Sequence, residues 1–456
     1  MNKKPVIVED ELESILREAT ASVEQELNLE DEGWQNLSGG SGEIVSSDAR
    51  KNNLLYSRLY YTKDPLAKQA IRLWTDYTFG TGMTWSCDDE GTNKVLEDFW
   101  YSKDNQSVLS ARGQRLSSDK LLVDGEIFFA IFLGETSTIR CIDPLEITEI
   151  ITDVDDMATV LYYKRNWTDN QGKSYRAFYR SASNIKGKPG TDMYGVSVTT
   201  KEDALIYHLT YNTISQRGNP LLLPALDWIK QYRRFLASRV AVMLSLARFA
   251  WRTKVKGGQT AVTTVKGKLH EQTPNAGSIL LENMGSDTTP IKTESGASSA
   301  YQDGRMIKLQ IAAAVGIPEQ YFGDISIGNL ATAKTVELPM MKMFQSYQQV
   351  WNDTYRDIDE IILEHAGIKP DKWYVDRDFP KIAPEDVAMA AVALGQILTV
   401  MPDLAYSEDV KQIAMMTLGV NDPAQALKAI NQESKKNPEI ALTRALKRFQ
   451  ESIKGI

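Results

Sequence analysis

Residues 228–268 hold ten basic side chains and no acidic one, in a chain of 456 residues whose formal net charge is -8. The ten are Lys230, Arg233, Arg234, Arg239, Arg248, Arg252, Lys254, Lys256, Lys266 and Lys268, with Asp227 and Glu271 closing the window. In an acidic protein such a block has to face a polyanion, an acidic surface of another subunit, or water. Its first part has a helical pattern. Pro220 and Pro224 precede it, and Ala225, Ile229, Tyr232, Leu236, Val240, Met243, Ala247 and Ala250 recur at helical spacing. Trp228, Phe235, Val242, Leu246 and Phe249 widen that stripe. About 28 residues rising 1.5 Å each predict a helix of roughly 42 Å. A helix apolar around so much of its girth needs neighbours on several sides, and further subunits are the natural source of them.

The rest of the composition narrows the class. A length of 456 residues predicts about three domains. Hydrophobic residues make up 42% and charged ones 25%, which is ordinary for a soluble globular protein. Cys87 and Cys141 have no metal-ligand spacing and suggest no disulfide framework, so a reducing compartment is expected. The start has two lysines but no apolar core behind them, unlike a signal peptide. The most apolar run, 240–247, is bracketed by Arg239 and Arg248 and falls far short of the ~20 residues that span a bilayer. A pI near 5.3 argues against a tight, general nucleic-acid binder.

Along the chain, residues 9–29 place Leu12, Ile15, Leu16, Ala19, Val23 and Leu27 at helical spacing beneath an acidic face. SGGSG at 38–42 is a break. Residues 64–79 predict a helix with Pro65 in its first turn and Gly80 and Gly82 beyond its end. LLVDGEIFFAIF at 121–132 predicts a hairpin turning at Asp124-Gly125, and 139–147, 159–167, 175–180 and 204–211 are further strand candidates. Gly257-Gly258 end the basic helix, and 257–298 is a small β-containing insert with SILLENM and TPIKTES as strands. A second helix over 299–315 stops at Gly316-Ile317-Pro318. The loop GDISIGNL (323–330) leads into a helix over 331–365 that should kink at Pro339. Helices are predicted at 384–399, 407–418, 423–431 and 437–453.

No phosphate loop, dinucleotide fingerprint, zinc motif or nucleophile elbow occurs in the sequence. His208, His270 and His365 are far apart in sequence and read as structural. Three carboxylate groups could hold Mg²⁺: Asp153 with Asp155 and Asp156, Asp357 with Asp359 and Glu360, and Asp376 with Asp378. Their settings, in a turn, on a helix flank and beside an arginine, favour solvated faces and caps. A metal-dependent nuclease using the first group, or another DNA-binding virion connector, is the alternative reading.

The order of elements resembles the portal proteins of tailed bacteriophages. Three motifs carry the likeness: HLTYNTISQRGNPLLLPALDW (208–228), IAAAVGIPEQYFGD (311–324) and GNLATAKTVELPM (328–340), with AIRLWTDYTFGTGMTW (70–85) in support. The resemblance spans roughly residues 50–400. It implies an α+β portal fold with an α/β wing, a two-helix stem, a small α/β clip, a long kinked wing helix and a helical crown. The implied boundaries begin with an acidic helical segment and linker at 1–44 and the wing at 45–219. The stem helix at 220–252, the clip at 253–298 and the second stem helix at 299–316 follow. The tunnel loop with the long wing helix and a returning strand takes 317–383, and the crown 384–456.

By the same resemblance the chain is no enzyme and needs no cofactor or metal. It forms a dodecameric ring at one capsid vertex, assembled in the host bacterial cytoplasm. The ring conducts double-stranded DNA during packaging by the terminase large subunit and on exit through the tail. The implied partners are further copies of the chain, double-stranded DNA, terminase, the major capsid protein and scaffold, and a head–tail adaptor, with no membrane. The tunnel-loop candidates are Asp324, Ile325, Ser326, Ile327, Asn329 and Lys334; the basic clip candidates are Lys254, Lys256, Lys266 and Lys268. For Arg233, Arg234 and Arg239 the favoured expectation is salt bridging rather than DNA contact.

Overall fold

The computed structural model describes residues 46–184, 187–192, 197–198, 204–247, 251–255, 259–260, 263, 286–290, 297–323 and 330–382, with isolated positions beyond. The predicted helices at 9–29 and past 384 lie outside those residues. The chain divides into units Met1–Pro380 and Lys381–Ile456, and everything below concerns the first.

Helix α1 (Ser47–Lys63) and helix α2 (Pro65–Phe79) meet at Asp64. The Asp64 carboxylate accepts the backbone N–H groups of Leu66 (3.0 Å) and Ala67 (3.1 Å), so Pro65 occupies a position where no N–H is needed. Ala67, Ala70, Ile71, Trp74 and Phe79 of α2 are buried. Strand β1 (Thr84–Ser86), helix α3 (Glu90–Trp100), helix α4 (Gln106–Leu109) and helix α5 (Ala111–Asp124) follow.

Helix α5 corrects one expectation. Residues 121–124 are not the first arm of a hairpin but the last turn of a helix whose N-cap is Ser110, bonded to Gly113 N at 3.1 Å. Gly125, at φ +81, is the left-handed cap, and the strand starts only at Glu126. An Asp-Gly pair serves a tight hairpin and a helix end equally well, because both need a positive φ. The helix wins here because residues 111–124 supply a capped amphipathic segment before it.

The six-stranded sheet is mixed. Strands β2 (Glu126–Phe132), β3 (Thr138–Ile142), β4 (Ile147–Thr152), β5 (Val160–Thr168) and β6 (Ser174–Ser181) come first. The short ribbon β7 (Gly190–Thr191) and β8 (Ser197–Val198) follows, then β9 (Ala204–Thr210). The order is β3-β2-β9-β6-β5-β4, antiparallel throughout except for β6 beside β9. Phe128, Ile142, Ile147, Tyr163 and Ile206 form the core of one face. Strand β2 is buried along nearly its whole length, which explains its unbroken apolar run in place of alternation.

Helix α6 (Leu226–Ala247), strand β10 (Trp251–Val255), strand β11 (Ser286–Pro290) and helix α7 (Ala297–Val315) form an arm. The basic helix is thus shorter than predicted. Trp251 and Arg252 belong to a strand whose residues pair with β11, Trp251 opposite Pro290 and Val255 opposite Ser286. Alternating Thr and Val favour an extended chain over a further helical turn. SILLENM and positions 248–250 lie outside the described residues. Gly304 of α7 lies against Phe235 of α6, where a Cβ would come within 2.7 Å of the ring.

Helix α8 (Leu330–His365) is one continuous 36-residue element with Pro339 inside it. Phe344, Tyr347, Trp351, Tyr355, Ile358 and Ile362 are buried on one stripe at helical spacing. Trp74 of α2 meets Phe344 and Tyr347 edge-on with centroids 5.3 Å away, and Phe79 meets Trp351 at the same distance. Strand β12 (Asp376–Asp378) then pairs with β1.

Candidate functional site

Two junctions hold the arm on the body. The first follows β9. Glu126, fully buried at the start of β2, faces Arg217 across 91 sequence positions. Arg217 Nε lies 3.0 and 2.9 Å from the two carboxylate oxygens, and its Nη2 lies 2.5 Å from Oε1. The guanidinium also donates to the carbonyls of Ile147 (3.1 Å) and Pro144 (3.2 Å). Gly218 N donates to Glu126 (3.2 Å), Arg50 of α1 reaches it at 3.3 Å, and His208 Nε2 lies 3.1 Å away. Burial alone would raise the Glu126 pKa, but the charge of Arg217 and the bonds from His208 and Arg217 hold it down at about 2. His208 stacks on Phe128 at 4.1 Å, and its burial lowers its pKa below the ordinary 6.5 despite the Glu126 bond.

Backbone contact completes this junction. A Cβ on Gly218 would sit 2.0 Å from the Gly125 carbonyl oxygen, and one on Gly125 would sit 2.1 Å from the Asn219 carbonyl carbon. Only glycine permits that approach. The Gln-Arg-Gly-Asn-Pro turn therefore fixes where α6 leaves the sheet.

The second junction follows α7. Gly316 (φ +69) ends the helix, with Ile317 N donating to Ala312 O at 3.1 Å, a Schellman-type closure. Trp74 Nε1 donates to the Val315 carbonyl at 3.1 Å. Glu319 accepts from Arg305 at 2.9 Å and lies 3.8 Å from Lys308. Glu337 of α8 accepts from Tyr321 (3.0 Å) and Gln320 (3.3 Å), which anchors the segment just ahead of Gly323 (φ +89).

The predicted site residues fall around these junctions without being gathered into one described site. Lys254 lies on β10 opposite Asp287, and Lys334 lies near the amino end of α8. Asp324, Ile325, Ser326, Ile327, Asn329, Lys256, Lys266, Lys268 and His270 lie outside the described residues. Arg233 makes a local bond to the Lys63 carbonyl (3.2 Å) and a 3.4 Å contact with Asp64.

Members of the first two carboxylate groups are engaged with their own surroundings, and Asp376 and Asp378 of the third lie on β12. Asp153 pairs with Lys188, and Asp156 accepts from Thr159 and from Ala158 N. Asp357 accepts from Tyr207 at 2.9 Å, while Asp359 is buried between Arg377 (2.5 Å) and Trp100 Nε1 (2.8 Å). Among the described residues no group of three or more His, Cys, Asp or Glu is placed to hold a metal, and no helix is long and apolar enough to cross a membrane. An open cleft of about 640 Å³ lies between the sheet and α8, lined by Tyr163, Tyr207, His208, Asp357 and Trp373 among others.

The far part of α6 differs from these junctions. Val240, Val242, Met243 and Leu244 are all exposed, Met243 and Leu244 by 62% and 63%. Their positions, 100° apart per residue, go around the helix, so no single face of this chain covers them. Tyr301, Met306 and Leu309 of α7 are exposed too.

No family model and no curated protein sequence matches the chain. Solved structures do. A chain of the neck of an empty gene transfer agent (GTA) particle, computed with C6 symmetry, superposes with a TM-score of 0.51 at 13% identity. That match covers 81% of this chain and 94% of that one. The fold is that of a GTA neck chain. Chains of the virion of a native GTA particle (14% identity, 78% and 90% covered, TM-score 0.48) and of a native GTA neck computed with C12 symmetry (14%, 81% and 93%, 0.46) are also similar. The α+β class expected from the sequence is the observed one.

Proposed function

We propose that this chain is a portal protein: a dodecameric ring at one capsid vertex that conducts double-stranded DNA inward under a terminase motor and outward to the tail. The observation that carries the reading is the fold shared with a particle neck chain across 81% of the sequence. Twelve copies are compatible with the sixfold symmetry of that neck. The exposed girth of α6 supports a ring, since a head-to-tail cyclic assembly gives every helix a neighbour on each side.

In this reading α6 and α7 are the stem, and β10 with β11 belongs to the clip. The six-stranded sheet and α8 are the wing, 323–335 is the tunnel loop, running into the start of α8, and 384–456 is the crown. The ring itself performs no chemistry. A wall along which DNA slides has to offer few phosphate contacts at once, because each neutralised phosphate steepens the salt dependence by about 0.9 in log–log slope. An acidic chain with one local block of ten basic residues at 228–268 meets that demand. Capsid protein, scaffold, terminase and adaptor would bind the outer surfaces of the assembly.

The loop tests the proposal. Deleting residues 325–329 is expected to leave ring assembly intact and to abolish nuclease-protected DNA in particles assembled with the variant. Full packaging and full genome retention by the deletion variant would remove the loop from the DNA path.

A further inference from the structure

The outer face of α1 is a second surface left uncovered. Leu55, Tyr56 and Leu59 are 46%, 54% and 43% exposed, one contiguous apolar patch on a helix whose other side is buried. Lys51 lies one turn before the patch and Lys63 one turn after it, both exposed, with Asp48 as the acid of the same arc. The basic start of α6 borders the carboxyl end: Arg233 bonds the Lys63 carbonyl, and Lys230, Arg233 and Asp227 act on Tyr60. Single exposed apolar side chains are ordinary, but a cluster rimmed by charge of one dominant sign marks a docking surface.

The chain carries a segment of matching chemistry. Residues 1–45 contain eleven acidic and three basic residues, a net charge of -8 that equals the net charge of the whole chain. Within them, Leu12, Ile15, Leu16, Ala19, Val23 and Leu27 share one helical face. Glu13 and Glu24 fall along one edge of that face, Glu11 and Glu18 along the other. Sixteen residues, 30–45, separate this segment from Ser46, the N-cap of α1. At about 3.3 Å per residue they reach roughly 50 Å, about twice the ~25 Å length of α1.

We infer that residues 9–29 dock as an amphipathic helix on the Leu55–Tyr56–Leu59 face of α1 in the same chain. Its apolar stripe covers the patch and its acidic edges meet Lys51, Lys63 and the start of α6. Most of the acidic excess of the chain is thereby held beside the root of its basic arm. This inference does not depend on the ring.

Photo-crosslinking of the full-length protein tests it. Benzoylphenylalanine in place of Leu59, in a mixture of isotopically heavy and light chains, is expected to give crosslinks to peptides of residues 9–29, heavy to heavy and light to light. The same probe in place of Val154, 88% exposed elsewhere on the body, should give none. Leu16→Asp, and separately Lys51→Glu with Lys63→Glu, should each lower the yield several-fold without changing the thermal melt. Crosslinks that mix heavy and light chains, or a Leu59 yield no higher than at Val154, would overturn the inference.

Discussion

Arg217→Ala is expected to lower stability by about 3–5 kcal/mol at pH 7, the cost of leaving a buried charge without its main partner. Glu126 is fully buried, and Arg217 supplies the closest of its contacts. Arg50 remains 3.3 Å away in the variant, which places the expected loss toward the lower end. The variant also leaves the carbonyls of Ile147 and Pro144 without their donor. Arg217→Lys keeps a charge but loses the fork, so it should fall between the two.

The pH dependence carries a sign that checks the cause. In the wild-type chain the Glu126 pKa is depressed from 4.5 to about 2, so its contribution is present above 4.5 and is lost as pH falls toward 2. The His208 pKa is also lowered, from 6.5, so the unfolded chain takes up a proton first as pH drops below about 6.5. Both groups therefore make the native chain less stable in acid. In Arg217→Ala the Glu126 pKa rises, its carboxyl protonates more easily, and the deficit against wild type narrows as pH falls. Urea unfolding of both proteins at pH 7 and pH 5 measures this. A deficit below about 1 kcal/mol at pH 7, or one that widens in acid, would show that the pair does not hold the junction.

Met243→Glu combined with Met306→Glu is expected to abolish the ring while leaving the subunit folded. Both side chains are more than 60% exposed in the single chain, so the substitutions should change its stability by no more than about 0.5 kcal/mol. In a cyclic assembly each carboxylate would be trapped against a neighbour's apolar surface at every interface, at several kcal/mol per unpaired charge. Light scattering after size exclusion should report monomers where the wild type gives a large oligomer. An unchanged oligomer would mean that the exposed girth of α6 is not where subunits meet.

Much of the fold was legible because its signals are local. The cap at Asp64-Pro65, the stop at Gly316-Ile317-Pro318 and the strand runs rich in β-branched and aromatic residues all depend on neighbours within a few residues. At 121–124 the helix replaces the expected strand because Asp-Gly is a local signal with two meanings, and the choice depends on Ser110, fourteen residues before Asp124. The helical spacing of apolar residues continues to Ala250, so the change to strand at 251–255 shows only in the Thr–Val alternation and in the pairing with β11. The junction network was least legible. His208 and the Arg217-Gly218 turn were visible as a motif, but Glu126, at the start of a strand 91 positions away, gives no sequence sign of being their partner. The tunnel-loop and clip candidates rest on resemblance alone, and most of them fall outside the described residues.

The central claim is the ring, and native mass spectrometry of the purified full-length chain tests it most directly. The account predicts a single assembly of about twelve times the 51.1 kDa subunit mass. A monomer or dimer that persists at high protein concentration and in the presence of scaffold and capsid protein would contradict it.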